Sequence, residues 1–221
     1  MVKKIIKNSI SISLNLVVVT LSIIYLFYAI KEINIKYFYS DLNFICNCLN
    51  VLLLISFIIY QIRKIKSNKV NLFIYKLIYI LVSFNLINLV SNCYFIYKYN
   101  FFSEIINIIS FVSSFLLIIN FLFFIGDGKY VFLNSTLSII FISIYEITIS
   151  LLINYNVVEN KYLFIDFNNK LIISIIYLLL IIVLQYFLSS ILLMYHRNGQ
   201  QLTDSFYKRN KKYYLVHSLL K

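Results

Sequence analysis

Six long runs of Ile, Leu, Val, Phe and Tyr alternate with short segments that hold most of the Lys, Arg, Asp and Glu. The runs lie near 9–30, 42–62, 77–97, 102–125, 130–153 and 171–195. Each is close to the ~20 residues that cross about 30 Å of hydrocarbon as a helix. The apolar positions are continuous instead of alternating, which points to helices and not to the strands of a barrel. A helix also satisfies its backbone N–H and C=O groups internally, as lipid demands. The pattern predicts an all-α fold, a polytopic membrane bundle of six transmembrane helices over residues 1–195, followed by a basic tail over residues 196–221.

The polar residues inside the runs recur at helical spacing. Asn43, Asn47 and Asn50 follow i, i+4, i+7 in the second run, and Asn85, Asn88 and Asn92 follow i, i+3, i+7 in the third. Ser103, Asn107, Ser110 and Ser114 do the same in the fourth. Each set occupies one stripe of its helix. Such stripes are expected to turn away from lipid, because an unpaired amide in hydrocarbon costs several kcal/mol. Interhelical hydrogen bonding that holds the bundle together is the leading reading of these stripes.

Composition changes the picture in two ways. With 62% hydrophobic and 13% charged residues and a mean hydropathy of +0.87, the chain is far more apolar than a water-soluble domain of its 221 residues. There is no Pro or Trp, there are three Gly, and residues with AT-rich codons abound, so the net charge of +12 partly reflects codon bias and is not read as a nucleic-acid signal. Codon bias cannot sort charges between loops, however. With the N-terminus inside, the inner segments hold 14 of the 20 Lys and Arg: Lys3, Lys4, Lys7, Arg63, Lys64, Lys66, Lys69, Lys129, Arg197, Lys208, Arg209, Lys211, Lys212 and Lys221. By the positive-inside rule both termini are expected in the cytoplasm and the protein in the cell membrane. The first run continues past Ile30 with no small-residue cleavage site, so it is expected to be retained as a helix and not removed as a signal peptide.

Close Gly-x-x-x-Gly packing is unavailable, since all three glycines lie outside the runs and Ala29 is the sole alanine. Helix contacts must use Ser, Thr, Asn or larger side chains. The Gly126-Asp127-Gly128-Lys129 turn lacks the spacing of a phosphate loop and reads as a connector. Asn134-Ser135-Thr136 matches a glycosylation sequon but falls at the cytoplasmic end of a run.

One acid lies deep in a run. Glu146 is about seven residues, or ~10 Å, from the outer end of the fifth helix. An ionisable group at that depth is a candidate site by default. Without Lys, Arg or His at its level, it is expected to sit there as the neutral acid and donate a hydrogen bond. Together with Asn47, Asn50, Asn88, Asn92, Asn107 and Ser110 it outlines a candidate ligand-binding set in the outer half of the bundle. His196 and His217 are assigned to the tail, leaving no imidazole in the bundle for haem, metal or general-base work. Cys46, Cys48 and Cys93 form neither a zinc set nor a disulfide framework. No catalytic residue, metal or cofactor is predicted. The tail interleaves Leu202, Phe206, Tyr207, Tyr213, Tyr214, Leu215, Leu219 and Leu220 with Lys208, Arg209, Lys211 and Lys212, a pattern suited to anionic inner-leaflet lipids. The predicted partners are the lipid bilayer and those lipids, with no nucleic acid.

The aromatic entry Tyr37-Phe38 before Asn43, the run ending Ile119-Asn120-Phe121-Leu122-Phe123-Phe124, and the loop Tyr162-Leu163-Phe164-Ile165-Asp166 before the sixth run form a layout across most of the chain. It resembles the androgen-induced-gene-type family of six-helix membrane proteins, which has bacterial relatives. Some members hydrolyse fatty-acid esters of hydroxy fatty acids with a threonine nucleophile and an intramembrane histidine. The resemblance places the threonine at Tyr39, beside Ser40, and the histidine at Ser110. Without the histidine the nucleophile has no base, so the resemblance implies a catalytically degenerate member that binds a lipid or small ligand between its helices. Two other classes compete. A substrate-binding subunit of a small-molecule transporter would resemble its kind in an alanine-rich docking stripe on the first helix, where this chain has only Ala29. A membrane lipid hydrolase would need Ser40 or Ser110 in the active role.

Overall fold

The computed structural model describes residues 2–32, 41–67, 71–99, 105–125, 133–155 and 171–219. They form α1 (Val2–Glu32), α2 (Leu42–Ser67), α3 (Leu72–Tyr99), α4 (Ile105–Phe123), α5 (Leu133–Asn154) and α6 (Leu171–Leu219), with no strand among them. All six are long and apolar enough to cross a membrane. The predicted runs near 102–125 and 130–153 begin outside the described residues.

Uninterrupted apolar sequence without Pro explains the helices, and polar residues at their ends explain the starts. Asp41 Oδ1 accepts the Asn43 N–H at 3.0 Å and the Asp41 carbonyl accepts the Ile45 N–H at 3.1 Å, capping α2. Asn71 does the same for α3, accepting the Phe73 N–H at 3.0 Å, while its own N–H donates to the Tyr60 hydroxyl at 2.6 Å. At the end of α4 the Phe124 and Ile125 N–H groups both reach the Asn120 carbonyl at 2.9 Å. α6 does not stop at residue 195: it runs unbroken to Leu219, about 73 Å at 1.5 Å per residue. Its single glycine, Gly199, does not end it.

α1 packs against α2 and α4, and α3 against the same two, so α1–α4 make a four-helix unit. α5 lies against α3 and α6, and α6 closes on α3 and α4. One apolar cluster, including Val18, Leu54, Phe57, Tyr79, Leu117, Phe121 and Leu193, ties α1–α4 to the second half of the α6 span. A second, Cys46, Ile80, Phe84, Ile87 and Ile142 with Tyr145, Ile181 and Leu188 against it, joins α2 and α3 to α5 and α6.

The distribution of side chains is inverted relative to a water-soluble bundle. Leu52 and Phe73 are 66% exposed, Val183 is 68% exposed and Ile172 is 72% exposed, whereas Asn15, Asn47, Asn50, Asn85 and Asn120 are fully buried. Amides inside and aliphatics outside minimise free energy only when the surroundings are apolar, since a buried amide needs a partner and an outward Leu needs no water.

Candidate functional site

The asparagine stripes of α2 and α3 meet the serine stripe of α4 in one buried network. Ser110 sits at its centre: its hydroxyl donates to Asn43 Oδ1 at 2.9 Å and accepts from Asn47 Nδ2 at 2.9 Å and from Asn88 Nδ2 at 3.4 Å. One donation and two acceptances exhaust a serine hydroxyl. Asn92 Nδ2 also donates to Asn43 Oδ1, at 2.9 Å.

One layer further in, Asn50 and Asn85 pair reciprocally through their amides at 3.2 and 2.8 Å. Asn85 Nδ2 also donates to the Leu81 carbonyl at 2.9 Å, and its Oδ1 accepts from Ser114 at 2.9 Å. Both hydrogens and both lone pairs of that amide are used. Asn50 Nδ2 reaches Ser22 on α1 at 3.4 Å, Asn88 reaches Ser114 at 3.2 Å, and Ser113 donates to Asn47 Oδ1 at 3.3 Å. Interhelical hydrogen bonds of this kind average about 0.6 kcal/mol in membrane proteins, and here they link all four helices.

Five members of the predicted ligand set, Asn47, Asn50, Asn88, Asn92 and Ser110, are therefore brought together, and they bond to one another and to neighbouring chain groups. Asn107, one turn before Ser110 on α4, is half-buried. Glu146 is not part of the network: no hydrogen bond of those five residues reaches it. It is half-buried on α5, its carbonyl accepts from Ser150 at 2.6 Å, and it adjoins Tyr145, whose ring meets Phe84 edge-on at 6.3 Å between centroids. Tyr145 lies within electrostatic reach of Glu146, Cys46 and Asp41. Glu146 thus belongs to the α3–α5–α6 side of the molecule. Tyr39 and Ser40 lie outside the described residues.

Two features escape the sequence reading. The first is an inner amide cluster on α1, α2 and α4. Asn15 Nδ2 donates to Gln61 Oε1 at 3.1 Å, Gln61 Nε2 to Ser11 at 2.9 Å, and Asn120 Nδ2 to Asn15 Oδ1 at 2.7 Å. Asn8, Ser11 and Asn15 follow i, i+3, i+7, the same signal as in α2 and α3, so this stripe was legible.

The second feature is the contact of α6 with the end of α4. His196 is buried, its Nδ1 N–H donates to the Phe121 carbonyl at 2.7 Å, and its ring stacks on Phe121 with centroids 4.3 Å apart. The last carbonyls of a helix lack internal partners, and this one is capped from a helix that follows 75 residues later. Gly199, one turn on, lies so close to the same end that a Cβ there would run into the Leu122 carbonyl oxygen. The imidazole assigned to the tail is in fact inside the bundle. The tail assignment followed from ending the sixth apolar run at residue 195, and the sequence holds no local sign of the partner carbonyl.

Lys64 is also buried, with its ammonium hydrogen-bonded to the Tyr75 hydroxyl and 4.9 Å from the ring centre. Cys46 is a free buried thiol that donates weakly to the Phe84 carbonyl, with Sγ 3.8 Å from the oxygen. Among the described residues no three His, Cys, Asp or Glu side chains gather as metal ligands. No family model, no curated protein and no solved structure matches the chain.

Proposed function

We propose that this chain is a multi-pass integral membrane protein with both ends on the cytoplasmic side. In this reading the amides and hydroxyls of α1–α4 form a structural core bonded largely within itself, and a lipid or small ligand is taken on the α5–α6 side, where Glu146 stands outside that core. The observation that carries the reading is the inversion of polarity, with Asn, Ser and Gln inward and Ile, Leu and Phe outward. The excess of Lys and Arg in the inner segments supports the orientation, and the basic run Lys208–Lys212 suits anionic inner-leaflet lipids.

Catalysis is not part of the proposal. The resemblance to the androgen-induced-gene-type family would put its histidine at Ser110, whose hydroxyl here has no lone pair or hydrogen to spare. His196 donates its Nδ1 hydrogen to the carbonyl end of α4.

Native mass spectrometry of the chain extracted in mild detergent tests the reading. A retained small molecule or lipid is expected on the wild-type protein, and its loss is expected in Glu146→Leu while the protein stays monodisperse. A ligand that survives Glu146→Leu and leaves in folded Asn88 variants would move the site into α1–α4 and overturn the assignment. Cysteine labelling from each side of the membrane at residues 66 and 165 checks the orientation, with 66 expected inside.

A further inference from the structure

Gln185 of α6 is fully buried, and neither its Oε1 nor its Nε2 has a hydrogen-bond partner. Among the described side chains of the α1–α4 core Asn120 Oδ1 also lacks a partner, but Asn120 still donates through Nδ2, whereas Gln185 has neither atom paired. It lies on the inward stripe of α6 between Ile181 and Leu188, which pack in the same cluster as Ile142 and Tyr145 of α5.

Two contacts with α3 fix the levels of α5 and α6. The Tyr79 hydroxyl donates to the Ser189 carbonyl at 2.7 Å, and Gln185 lies one turn from Ser189 toward the start of α6. Five residues along α3, Phe84 meets Tyr145, and Glu146 is the next residue of α5. Five residues of α3 rise about 7.5 Å and four residues of α6 about 6 Å. Glu146 and Gln185 are therefore within about one turn of the same level. The exposed residues of α5 at this level, Ile144, Ile147 and Leu151, occupy the side of the helix opposite Ile142, Glu146 and Ile149. Helical side chains lean toward their own N-terminus, and α5 and α6 run in opposite directions, so the two side chains lean toward each other.

We propose that Glu146 and Gln185 together form a proton-binding site between α5 and α6. The structure leaves both Gln185 atoms unbonded, to Glu146 as to every other group. A neutral carboxyl and a primary amide are complementary, and a rotation of the two side chains toward each other would let the acid O–H donate to Oε1 and Nε2–H donate to the acid carbonyl. Loss of the proton to water breaks only the acid O–H bond. It leaves one N–H···O contact and sets a carboxylate oxygen against Oε1.

The titratable groups facing the pair are Tyr145 on α5, Cys46 and Asp41 on α2, which interact with Tyr145, and Tyr79 on α3, whose hydroxyl is given to Ser189. On α6 Tyr186 is exposed, His196 is engaged at Phe121 three turns away, and the side chain of Tyr177 lies outside those described. Among the described side chains no Lys, Arg or His stands at this level to hold the carboxylate form.

Infrared difference spectra between acid and alkaline pH, taken on the full chain in lipid vesicles, test the site. A protonated-carboxyl band is expected in the wild type. The component of it due to Glu146 should be missing in Glu146→Gln and should move to higher frequency in Gln185→Leu, where the N–H donor to the acid carbonyl is gone. A wild-type spectrum identical to that of Glu146→Gln, or a band unmoved in Gln185→Leu, overturns the proposal. A second measurement covers the case of a leucine variant that does not fold. With Cys46, Cys48 and Cys93 changed to Ser, Glu146→Cys and Gln185→Cys are expected to be joined by a short bis-maleimide, which keeps the halves together after cleavage between residues 156 and 170. Failure of that link in the folded chain excludes the pairing.

Discussion

The α1–α4 core and the α3–α5–α6 side solve the same problem differently. In the core, amides and hydroxyls from four helices face one another, and residues such as Asn85 and Ser110 use every hydrogen-bonding position they have. On the other side, Gln185 is equally buried with both amide atoms unmatched, and Glu146 lies outside the network. A saturated polar group is a fastener: it contributes a modest net energy and strongly penalises any packing that breaks it. An unsaturated one is a standing cost that a proton, a ligand or a rearrangement can relieve.

The largest loss is expected from the core. Asn85→Leu removes the reciprocal partner of Asn50 and the acceptor of Ser114, leaving Asn50 Oδ1 without a donor and the Ser114 hydroxyl hydrogen without an acceptor in an apolar interior. A drop of ~3 kcal/mol in unfolding free energy is expected, to be read from reversible unfolding in detergent. A loss below ~0.5 kcal/mol would mean that the saturated network does not fasten the bundle.

Next comes Gly199→Ala at the end of α4. Its methyl group would collide with the backbone carbonyl of Leu122, which cannot swing aside as a side chain would. Overpacking of this kind costs ~2 kcal/mol, visible as a lowered thermal midpoint, and an unchanged midpoint would show that α6 does not press on α4 there. His196→Phe keeps the ring stacked on Phe121 but strips its carbonyl of the N–H donor. About 1 kcal/mol should be lost, and His196→Ala should cost more because the stacking goes too. The smallest effect belongs to the outer surface. Leu52→Val changes an apolar side chain that is 66% exposed, so a shift within ~0.5 kcal/mol is expected. A large shift would place Leu52 in a contact between copies.

The helices and the asparagine stripes of α2 and α3 were legible because both are periodic along one chain segment. Apolar runs of about 20 residues have one economical conformation in lipid, and amides at i, i+4, i+7 must share a face whatever lies opposite. The serine stripe of α4 was read on the same ground, and the stripe Asn8, Ser11, Asn15 of α1 carried the same signal. Grouping Glu146 with these stripes rested on depth alone. Depth gives the level of a residue along the membrane normal and says nothing of which neighbour its helix chooses. α5 chose α3 and α6.

His196 and Gly199 were illegible for a related reason. Each acts on the carbonyl end of a helix 75 or more positions earlier, and no spacing within the sequence records such a pair.

By itself, then, the amino-acid order determined six apolar helices and the inward face of each polar stripe. Those properties follow from local periodicity and from the free energy of moving single groups between water and hydrocarbon. The tertiary structure alone decided which stripes meet, that Ser110 is saturated, that His196 caps α4 and that Gln185 is left without partners. Hydrogen-bond satisfaction is a property of pairs, and pairs exist only once the helices have chosen their neighbours.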